Sequence, residues 1–287
     1  MPELPFLEIL AENLSARILG RRVESLLIRQ PALLQGASPA PESFVGEFMS
    51  LARREGKYLV LETETRRAIV FHLMRLGRLD VVEPKPGRAR ALARNVSAVV
   101  RFDDGSELRL VEHGTEKRAR LWLAEDAGDV RELQGLGPDP TRGGLDHAAF
   151  RASLRAESRQ LKTFLTDQRA IAGIGNGLAD EILWEARLSP LALTPSLADE
   201  DAERLRGAVE RVVADQVARL RESAAGAIPQ REPSEHYAVH DHAGRPCPRC
   251  STPVARISYA DRETFYCPGC QTGGKVLKDR RLSRLLR

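Results

Sequence analysis

All four cysteines of this chain lie in its last fifth, where they form two closely spaced pairs. The pairs are C-x2-C motifs separated by sixteen residues, and they consist of Cys247, Cys250, Cys267 and Cys270. This spacing favours a metal site over disulfides or a redox-active pair. Four thiolates complete a tetrahedral Zn²⁺ site and leave no position open for water, so we predict one structural zinc ion. Buried free thiols are the alternative.

The residues between the cysteine pairs predict a β-hairpin. Two strand-like runs, 254–259 and 264–266, flank the turn-forming segment 260–263. Arg262 would lie at the tip of this hairpin. An arginine there can donate two parallel hydrogen bonds to a phosphate, which makes Arg262 a candidate DNA ligand.

The charge of the chain is unevenly distributed. The whole sequence carries a net charge of +4, whereas the stretch from Arg245 to Arg287 has ten Lys and Arg against three Asp and Glu, a net +7. A basic end suits a polyanion better than a small acid, although a solvated tail would carry the same charge. No apolar run approaches the ~20 residues of a membrane helix and no signal peptide is recognisable, so we expect a soluble, cytoplasmic protein.

The first residues of the chain can supply a nucleophile. Removal of the initiator methionine before a small residue would leave Pro2 with a free secondary amine. An α-amino group titrates near pH ~8 and attacks carbonyl-like carbons to form a Schiff base. The neighbouring carboxylate of Glu3 can carry protons. The plainer interpretation is that Pro2 only begins an ordinary first helix, because apolar residues recur at helical spacing as far as Ile18.

The rest of the chain divides into a β-rich half and a helical half. Strand-length apolar runs extend from Val23 to about Asp126, and helical periodicity extends from Asp146 to about Glu222. In the helical half, residues 149–165 predict one continuous helix. The predicted fold is α+β and multidomain. Its parts are a β-sandwich headed by a helix (1–128), a linker (129–145), a helical domain (146–238) and a zinc finger with a basic tail (239–287).

A glycine-rich turn interrupts the helical half. Gly173-Ile-Gly-Asn-Gly177 lies between two predicted helices. Glycines let the backbone approach a phosphate, and the N-terminus of the following helix attracts anions. Asn176 would add a side-chain donor. An ordinary helix-to-helix turn that needs positive φ explains the glycines equally well.

Together these motifs resemble the formamidopyrimidine-DNA glycosylase and endonuclease VIII family across nearly the whole chain. The resemblance rests, in chain order, on Pro2-Glu-Leu-Pro5, Leu136-Gly-Pro138, Asp167-Gln168 before the glycine-rich turn, Ala179-Asp-Glu-Ile-Leu183 and the four cysteines. It implies a β-sandwich headed by a helix, a helix-two-turn-helix domain and a β-hairpin zinc finger. The implied partner is damaged double-stranded DNA, and we expect a monomer associated with a bacterial nucleoid.

The resemblance also assigns roles to individual residues. Pro2 would attack C1′ of the damaged nucleotide, and Glu3 would handle protons at the sugar. Lys57 would contact the phosphate at the lesion, although a lysine at a strand end is more often solvated. Lys162, Asn176 and Arg262 would hold the flanking DNA. The nucleotide would be flipped out, because a stacked base is unreachable, and a Schiff base at C1′ would allow β-elimination after base loss.

Three segments depart from the family's pattern. Phe6 stands where the family usually has a second glutamate. The family's His-Leu-Gly-Met-Ser-Gly is replaced by His72-Leu-Met-Arg-Leu-Gly77, which puts Arg75 in place of the methionine that fills the space left by the flipped base. The family's Asp-Pro-Arg-Arg-Phe-Gly is absent, so Arg118 or Lys117 would support the orphaned strand without an aromatic wedge.

These departures predict a lesion spectrum unlike that of the type enzyme. The loop 223–235 is also shorter than the loop that closes over 8-oxoguanine in the type enzymes. The first hypothesis is a DNA glycosylase with abasic-site (AP) lyase activity. The second is a lyase that cuts abasic sites but barely excises bases, and the third is a non-catalytic protein that binds damaged DNA. The Pro2–Glu3 pair favours the enzymes, because a binding module needs no amine nucleophile.

Overall fold

The structure is a computed structural model that describes residues 1–36, 38–84, 92–232, 234–259 and 262–277. The chain divides into two units that each contain two separate segments. The first unit comprises Met1–Gly135 and Leu220–Glu232, and the second comprises Leu136–Arg219 and Pro233–Arg287. Thus the chain leaves the first unit, builds most of the second, and returns before completing it.

The first unit begins with helix α1 (Leu4–Ile18). Pro5 lies in its first turn, where the backbone N–H groups have no helical acceptor, so the missing donor costs nothing. The apolar residues at positions 7, 10, 14 and 18 are all fully buried, as their helical spacing predicts. The helix ends before Gly20, whose φ of +75° favours glycine.

Two antiparallel four-stranded sheets form the β-sandwich of the first unit. Their strand orders are β1-β6-β7-β5 and β2-β3-β4-β8. The strands are β1 (Val23–Ile28), β2 (Met49–Glu55), β3 (Tyr58–Thr63), β4 (Ala68–His72), β5 (Gly77–Val82), β6 (Val96–Phe102), β7 (Glu107–Glu112) and β8 (Arg120–Ala124). Helix α1 packs against β2 and β3. This packing places the start of the chain on the sheet whose β2–β3 turn carries Lys57.

The second unit combines helices with a two-stranded hairpin. Its elements are α2 (His147–Ala156), α3 (Leu161–Thr166), α4 (Asn176–Glu185), α5 (Asp199–Ala224), β9 (Ala255–Tyr259), β10 (Arg262–Tyr266) and the short α6 (Pro268–Gln271). The last turn of α5 is counted with the first unit. Short 3₁₀ helices connect these elements at Pro31–Leu33, Pro41–Phe44, Ala127–Asp129, Thr194–Ser196 and Ser234–His236. No helix in the described ranges is both long and apolar enough to cross a membrane.

The prediction of one continuous helix over 149–165 is wrong. Helix α2 ends at Ala156, and Glu157 has an extended conformation with φ −142° and ψ 142°. The next residues pair with a distant segment, because Gln160 forms a β-bridge with Leu193. The Leu161 N–H donates to the Ala192 carbonyl at 2.9 Å. Apolar residues on both sides of the break share helical spacing, so periodicity alone did not indicate it.

The two units also differ from the four predicted parts. The helical region and the cysteine hairpin form one unit, since the Glu181 carboxylate accepts the N–H groups of Ala238, Val239 and His240 at 2.7, 2.9 and 2.9 Å. Residues 220–232, predicted to belong to the helical domain, are grouped with the sandwich. The Asn13 side chain, for example, donates to the Ala227 carbonyl at 2.7 Å.

Candidate active site and metal centre

Pro2 and Glu3 lie buried at the start of α1. Glu3 is the residue before the first helical turn, and it is only 6% exposed. Its backbone N–H donates to Oε1 of Glu232 at 2.5 Å. The first turn of α1 contains no acidic residue of its own, so Glu232 supplies the negative charge that a helix N-terminus attracts. Pro2 therefore precedes a glutamate whose backbone binds a second glutamate from a distant part of the sequence.

Lys57 occupies the turn between β2 and β3 and is only 6% exposed. Burial lowers the pKa of its amino group, whereas the charges of Glu3 and Glu232 raise it. The solvated alternative for Lys57 is thus wrong, because the strand end on which it lies is covered. The structure brings Lys57, Glu3 and Glu232 close enough for their charges to interact.

Glu232 is the member of this cluster that the sequence did not indicate. Burial and the charge of Glu3 raise the pKa of Glu232 to about 7, although the N-terminal ammonium group, the Glu3 N–H and Arg78 lower it. Near neutral pH this carboxyl group is therefore poised to take up or release a proton. It lies in the aperiodic loop 223–235, which carries no motif from which its position could be inferred.

His72 ends β4 beside the same cluster. Its ring lies 4.8 Å from the Tyr58 ring, and its Nδ1 atom is buried without a hydrogen-bond partner among the described residues. Burial, followed by the positive charges of Lys57, Arg120 and the N-terminus, lowers the pKa of His72 to about 4. The imidazole is therefore neutral at pH 7 and adds no charge to the site.

Phe6 and Arg75 occupy different environments in the first unit. Phe6 is 1% exposed, and the Arg78 guanidinium lies over its ring, 5.7 Å from the centroid. Arg75 is exposed in the turn after β4, where its carbonyl accepts a hydrogen bond from Arg78 at 3.1 Å. The guanidinium of Arg75 thus lies on the surface, and its predicted DNA contact stays a prediction.

The segment that replaces the family's wedge is organised by Glu112. This carboxylate is 2% exposed and accepts the backbone N–H groups of Arg118 and Ala119 at 2.8 and 2.9 Å. The Ser97 hydroxyl donates to its other oxygen at 2.6 Å. The Arg118 side chain is exposed and pairs with Glu116 at 2.6 Å. Such an exposed ion pair contributes little stability, so DNA can compete for the guanidinium.

In the second unit, Gln168 holds the glycine-rich turn. Its side-chain oxygen accepts the Gly173 N–H at 2.9 Å, and its side-chain nitrogen donates to the Ile174 carbonyl at 2.9 Å. Gly173 has a φ of +89°, which favours glycine. Asn176 is the first residue of α4 and is exposed. The turn therefore presents Asn176 together with the positive end of a ten-residue helix.

Lys162 lies inside the second unit, and its amino group is bonded within the protein. It donates to Asp180 Oδ1 at 2.7 Å and to the Glu263 carbonyl at 2.6 Å. Asp180 is fully buried, faces His240 Nδ1 at 2.8 Å and accepts the Phe265 N–H at 3.1 Å. Lys162 thus joins α3 to α4 and to the hairpin, and its predicted role in DNA binding stays a prediction.

The four cysteine sulfurs form a compact cluster in which all Sγ atoms lie within 4.8 Å of one another. A tetrahedral zinc ion with Zn–S bonds of about 2.3 Å needs sulfurs about 3.8 Å apart, so the cluster fits the ion. The Trp184 indole N–H donates to Cys247 Sγ at 3.3 Å, and the Cys270 N–H donates to Cys267 Sγ at 3.4 Å. Such N–H groups favour the thiolate, although burial raises the pKa of the Cys267 thiol. These residues hold one structural Zn²⁺.

Arg262 is the first residue of β10, and its backbone pairs with that of Tyr259 in β9. It therefore begins the second strand, directly after the tip of the hairpin. The Arg262 side chain and the two tip residues, 260 and 261, lie outside the described residues. Its predicted contact with phosphate stays a prediction.

Three sequence families match consecutive parts of the chain. Residues 1–115 match the formamidopyrimidine-DNA glycosylase N-terminal domain, and residues 136–225 match the formamidopyrimidine-DNA glycosylase H2TH domain. Residues 244–273 match the zinc finger found in FPG and IleRS. The matches cover the Pro2–Glu3 pair, the glycine-rich turn and the four cysteines.

Similar proteins span almost the entire chain. The formamidopyrimidine-DNA glycosylase of Chloroflexus aurantiacus is 33% identical over 94% of this chain and 98% of its own length. That of Moorella thermoacetica is 36% identical over 90% of this chain and 94% of its own. The crystal structure of the MutM (FPG) protein from Thermus thermophilus superposes with a TM-score of 0.80 at 32% identity, covering 96% of this chain and 100% of that one. A Lactococcus lactis FPG bound to a Fapy-dG containing DNA shares the fold, with a TM-score of 0.83 at 24% identity over 94% of this chain and 100% of that one.

Proposed function

This chain belongs to the formamidopyrimidine-DNA glycosylase family, and we propose that it excises damaged bases from DNA and cleaves abasic sites through the amine of Pro2. The observation that carries the proposal is the cluster of Glu3, Lys57 and Glu232 around the buried start of α1. Residues at a chain terminus are ordinarily exposed, as Met1 is here, whereas Pro2 directly after it is buried. Burying ionisable groups such as Glu3 and Lys57 costs stability, and that cost is typical of catalytic sites.

The chemistry begins once removal of Met1 frees the Pro2 amine. The nitrogen forms a bond with C1′ while the bond from C1′ to the base breaks. The electron pair of the broken bond leaves with the base. Opening of the sugar ring gives an iminium ion, with Glu3 moving the proton at the ring oxygen. The iminium acidifies C2′, so loss of that proton expels the 3′-phosphate by β-elimination. Water then releases the product and restores the amine.

DNA binding is assigned to polar groups on both units. Lys57 would contact the phosphate at the lesion, and Asn176 and Arg262 the flanking phosphates. Arg75 would enter the space left by the flipped base, and Arg118 or Lys117 would support the orphaned strand. Lys162 would act through the joint that it forms with Asp180. Zinc supplies no chemistry here, because its four thiolate ligands close the site to water, and it would hold the hairpin that carries Arg262. With DNA as substrate, we place the protein on the nucleoid.

Reductive trapping on a duplex with one abasic site tests this function. We expect borohydride to link the wild-type protein covalently to the DNA and to leave the Pro2→Gly variant unlinked. Glu3→Gln should retain duplex binding but lose base excision. Intact mass of the purified protein should show loss of Met1. If no adduct formed with demethionylated wild-type protein, the enzymatic function would be excluded and a binding function would remain.

A lesion spectrum different from that of 8-oxoguanine-specific relatives is favoured by one observation. Phe6 presents a ring where the family resemblance leads us to expect a carboxylate. This ring packs against Arg78, and Arg78 donates to the Gln230 carbonyl at 2.6 Å. Arg78 therefore connects the loop 223–235 to α1. A panel of duplexes with formamidopyrimidine, 8-oxoguanine, oxidised pyrimidines, alkylated bases and abasic sites tests the difference. Selective, efficient excision of 8-oxoguanine opposite C would contradict it, and cleavage of abasic sites alone would identify a lyase-dominant enzyme.

A further inference from the structure

Glu232 contacts the backbone of Glu3 across a separation of 229 residues in the sequence. Its Oε1 atom lies 2.5 Å from the Glu3 nitrogen. Since the nitrogens of adjacent residues are at most about 3.7 Å apart, this oxygen lies within about 6 Å of the Pro2 nitrogen. A proton can pass over that distance directly after a small side-chain movement or through one water molecule.

Several contacts hold the segment that carries Glu232. The Asn13 side chain donates to the Ala227 carbonyl at 2.7 Å, and Arg78 donates to the Gln230 carbonyl at 2.6 Å. The Gln230 side chain donates in turn to the Leu79 carbonyl at 3.2 Å. These contacts come from α1 and β5, so Glu232 is held from two elements of the first unit. Its approach to Glu3 is a property of the folded loop rather than of one side chain.

The first turn of α1 supplies no carboxyl group of its own. It contains no acidic residue, and Phe6 contributes a buried apolar ring. The Arg78 guanidinium packs over that ring and binds the carbonyl of Gln230, two residues before Glu232. Arg78 therefore contacts both Phe6 and the loop that carries Glu232.

We propose that Glu232 exchanges protons with the Pro2 amine and supplies the acidic group that the first turn of α1 lacks. This inference rests on the proposed function. On an abasic site, C1′ is an aldehyde carbon, and the Pro2 nitrogen forms a bond with it. The proton of that nitrogen passes to Glu232 and from there to the C1′ oxygen. A second proton, from Glu3 or from water, lets this oxygen leave as water, and the iminium ion remains.

The electrostatic surroundings suit such an exchange. The charged groups that face Glu232 are Glu3, the N-terminal ammonium, which Met1 carries in this structure, Lys57 of the β2–β3 turn and Arg78 of β5. Burial and Glu3 bring the pKa of Glu232 to about 7, close to the value near 8 of an α-amino group. Proton transfer is most efficient between groups whose pKa values lie close to the working pH.

The test is the rate of adduct formation on an abasic duplex with cyanoborohydride, measured between pH 5 and 8 in single turnover. Glu232→Gln keeps an oxygen acceptor for the Glu3 N–H but cannot take up a proton. We expect its rate at pH 7 to fall about 100-fold, with unchanged duplex affinity and unfolding temperature. The slope of log rate against pH on the acidic side should fall from about two to about one, because only the amine then needs to lose a proton.

Glu235→Gln is the matched control, since Glu235 is an exposed glutamate three residues further along. It should keep the wild-type rate and slope, and Glu232→Asp should recover the steeper slope at a reduced rate. A wild-type rate and slope in Glu232→Gln would overturn the inference. A fall in rate at every pH with the slope unchanged would also overturn it. That result would mean that Glu232 only stabilises the start of α1. Failure of the wild type to form any adduct would instead refute the proposed function.

Discussion

The amino group of Lys162 lies 2.7 Å from the carboxylate of Asp180, and both groups are buried. Asp180 also faces the imidazole of His240 at 2.8 Å and accepts the Phe265 N–H at 3.1 Å. One carboxylate thus binds Lys162 of α3, His240 and Phe265 of the hairpin. The joint between the helical region and the zinc finger depends on it.

Replacing Asp180 by Asn should therefore destabilise the second unit strongly. The change leaves the buried ammonium of Lys162 without its counter-charge, which costs about 3–5 kcal/mol. Urea unfolding followed by circular dichroism measures this loss. Asp215→Asn is the control, because Asp215 pairs with Arg219 at 2.8 Å on the surface of α5 and should cost less than about 1 kcal/mol. Equally small losses of stability in both variants would contradict a structural role of the Asp180 carboxylate.

His72 should make the first unit sensitive to acid. Its pKa of about 4 in the folded state lies below the ordinary 6.5, mainly because of burial. Between these values the unfolded chain binds a proton that the folded chain does not, so stability is lost as the pH falls from 6.5 towards 4. The free energy of unfolding falls by at most about 3 kcal/mol. The actual fall is smaller, because solvent screens the charge of a partly exposed ring.

Comparing the free energy of unfolding at pH 7 and pH 4.5 measures this sensitivity. In His72→Gln the difference between the two pH values should shrink, because the substituted side chain does not titrate. His113→Gln, at an exposed histidine before β8, should retain the wild-type difference. An unchanged difference in His72→Gln would mean that other groups govern the acid response.

Removal of zinc should unfold the hairpin and change the environment of Trp184. Structural zinc contributes about 10 kcal/mol or more to the folding of small cysteine sites. Because the Trp184 N–H donates to Cys247 Sγ, its fluorescence reports on the site. In a Trp122→Phe background, a chelator should release one zinc per chain and shift the emission, and added Zn²⁺ should reverse the shift. The loss of zinc without any spectral change would contradict the contact.

Arg262→Ala should weaken binding to all duplexes by a similar factor. A side chain that contacts phosphate carries no base preference, and its loss should reduce the slope of log affinity against log salt by about 0.9. Fluorescence anisotropy at several salt concentrations measures both quantities. Arg219→Ala is the control, because Arg219 is an exposed arginine of α5 that already pairs with Asp215. A change in affinity confined to damaged DNA would argue for contact with the lesion instead.

Local sequence signals predicted much of this molecule. Helix α1, the strand-rich half and the four-cysteine cluster each depend on residues close together in the sequence, so spacing and periodicity identified them. Arg262 was predicted at the tip of the hairpin, and it is the first residue of β10. Such features follow from local hydrophobic patterns and from ligand spacing.

Features that depend on distant contacts were missed. The break after Ala156 results from pairing between Gln160 and Leu193, which periodicity does not record. The buried amino group of Lys162 is bound by Asp180, a residue of another helix. Glu232 lies in a segment without periodicity, and only its folded position brings it to Glu3. In each case a partner far along the chain determines the environment of the residue.

The distance in sequence between Glu3 and Glu232 sets an order of events during synthesis. The ribosome makes Pro2 and the sandwich strands long before it makes the loop, so the early chain lacks the carboxylate that accepts the Glu3 N–H. During that interval the N-terminus has no partner from the loop. The contact between Glu232 and Glu3 can therefore form only after most of the chain has been made.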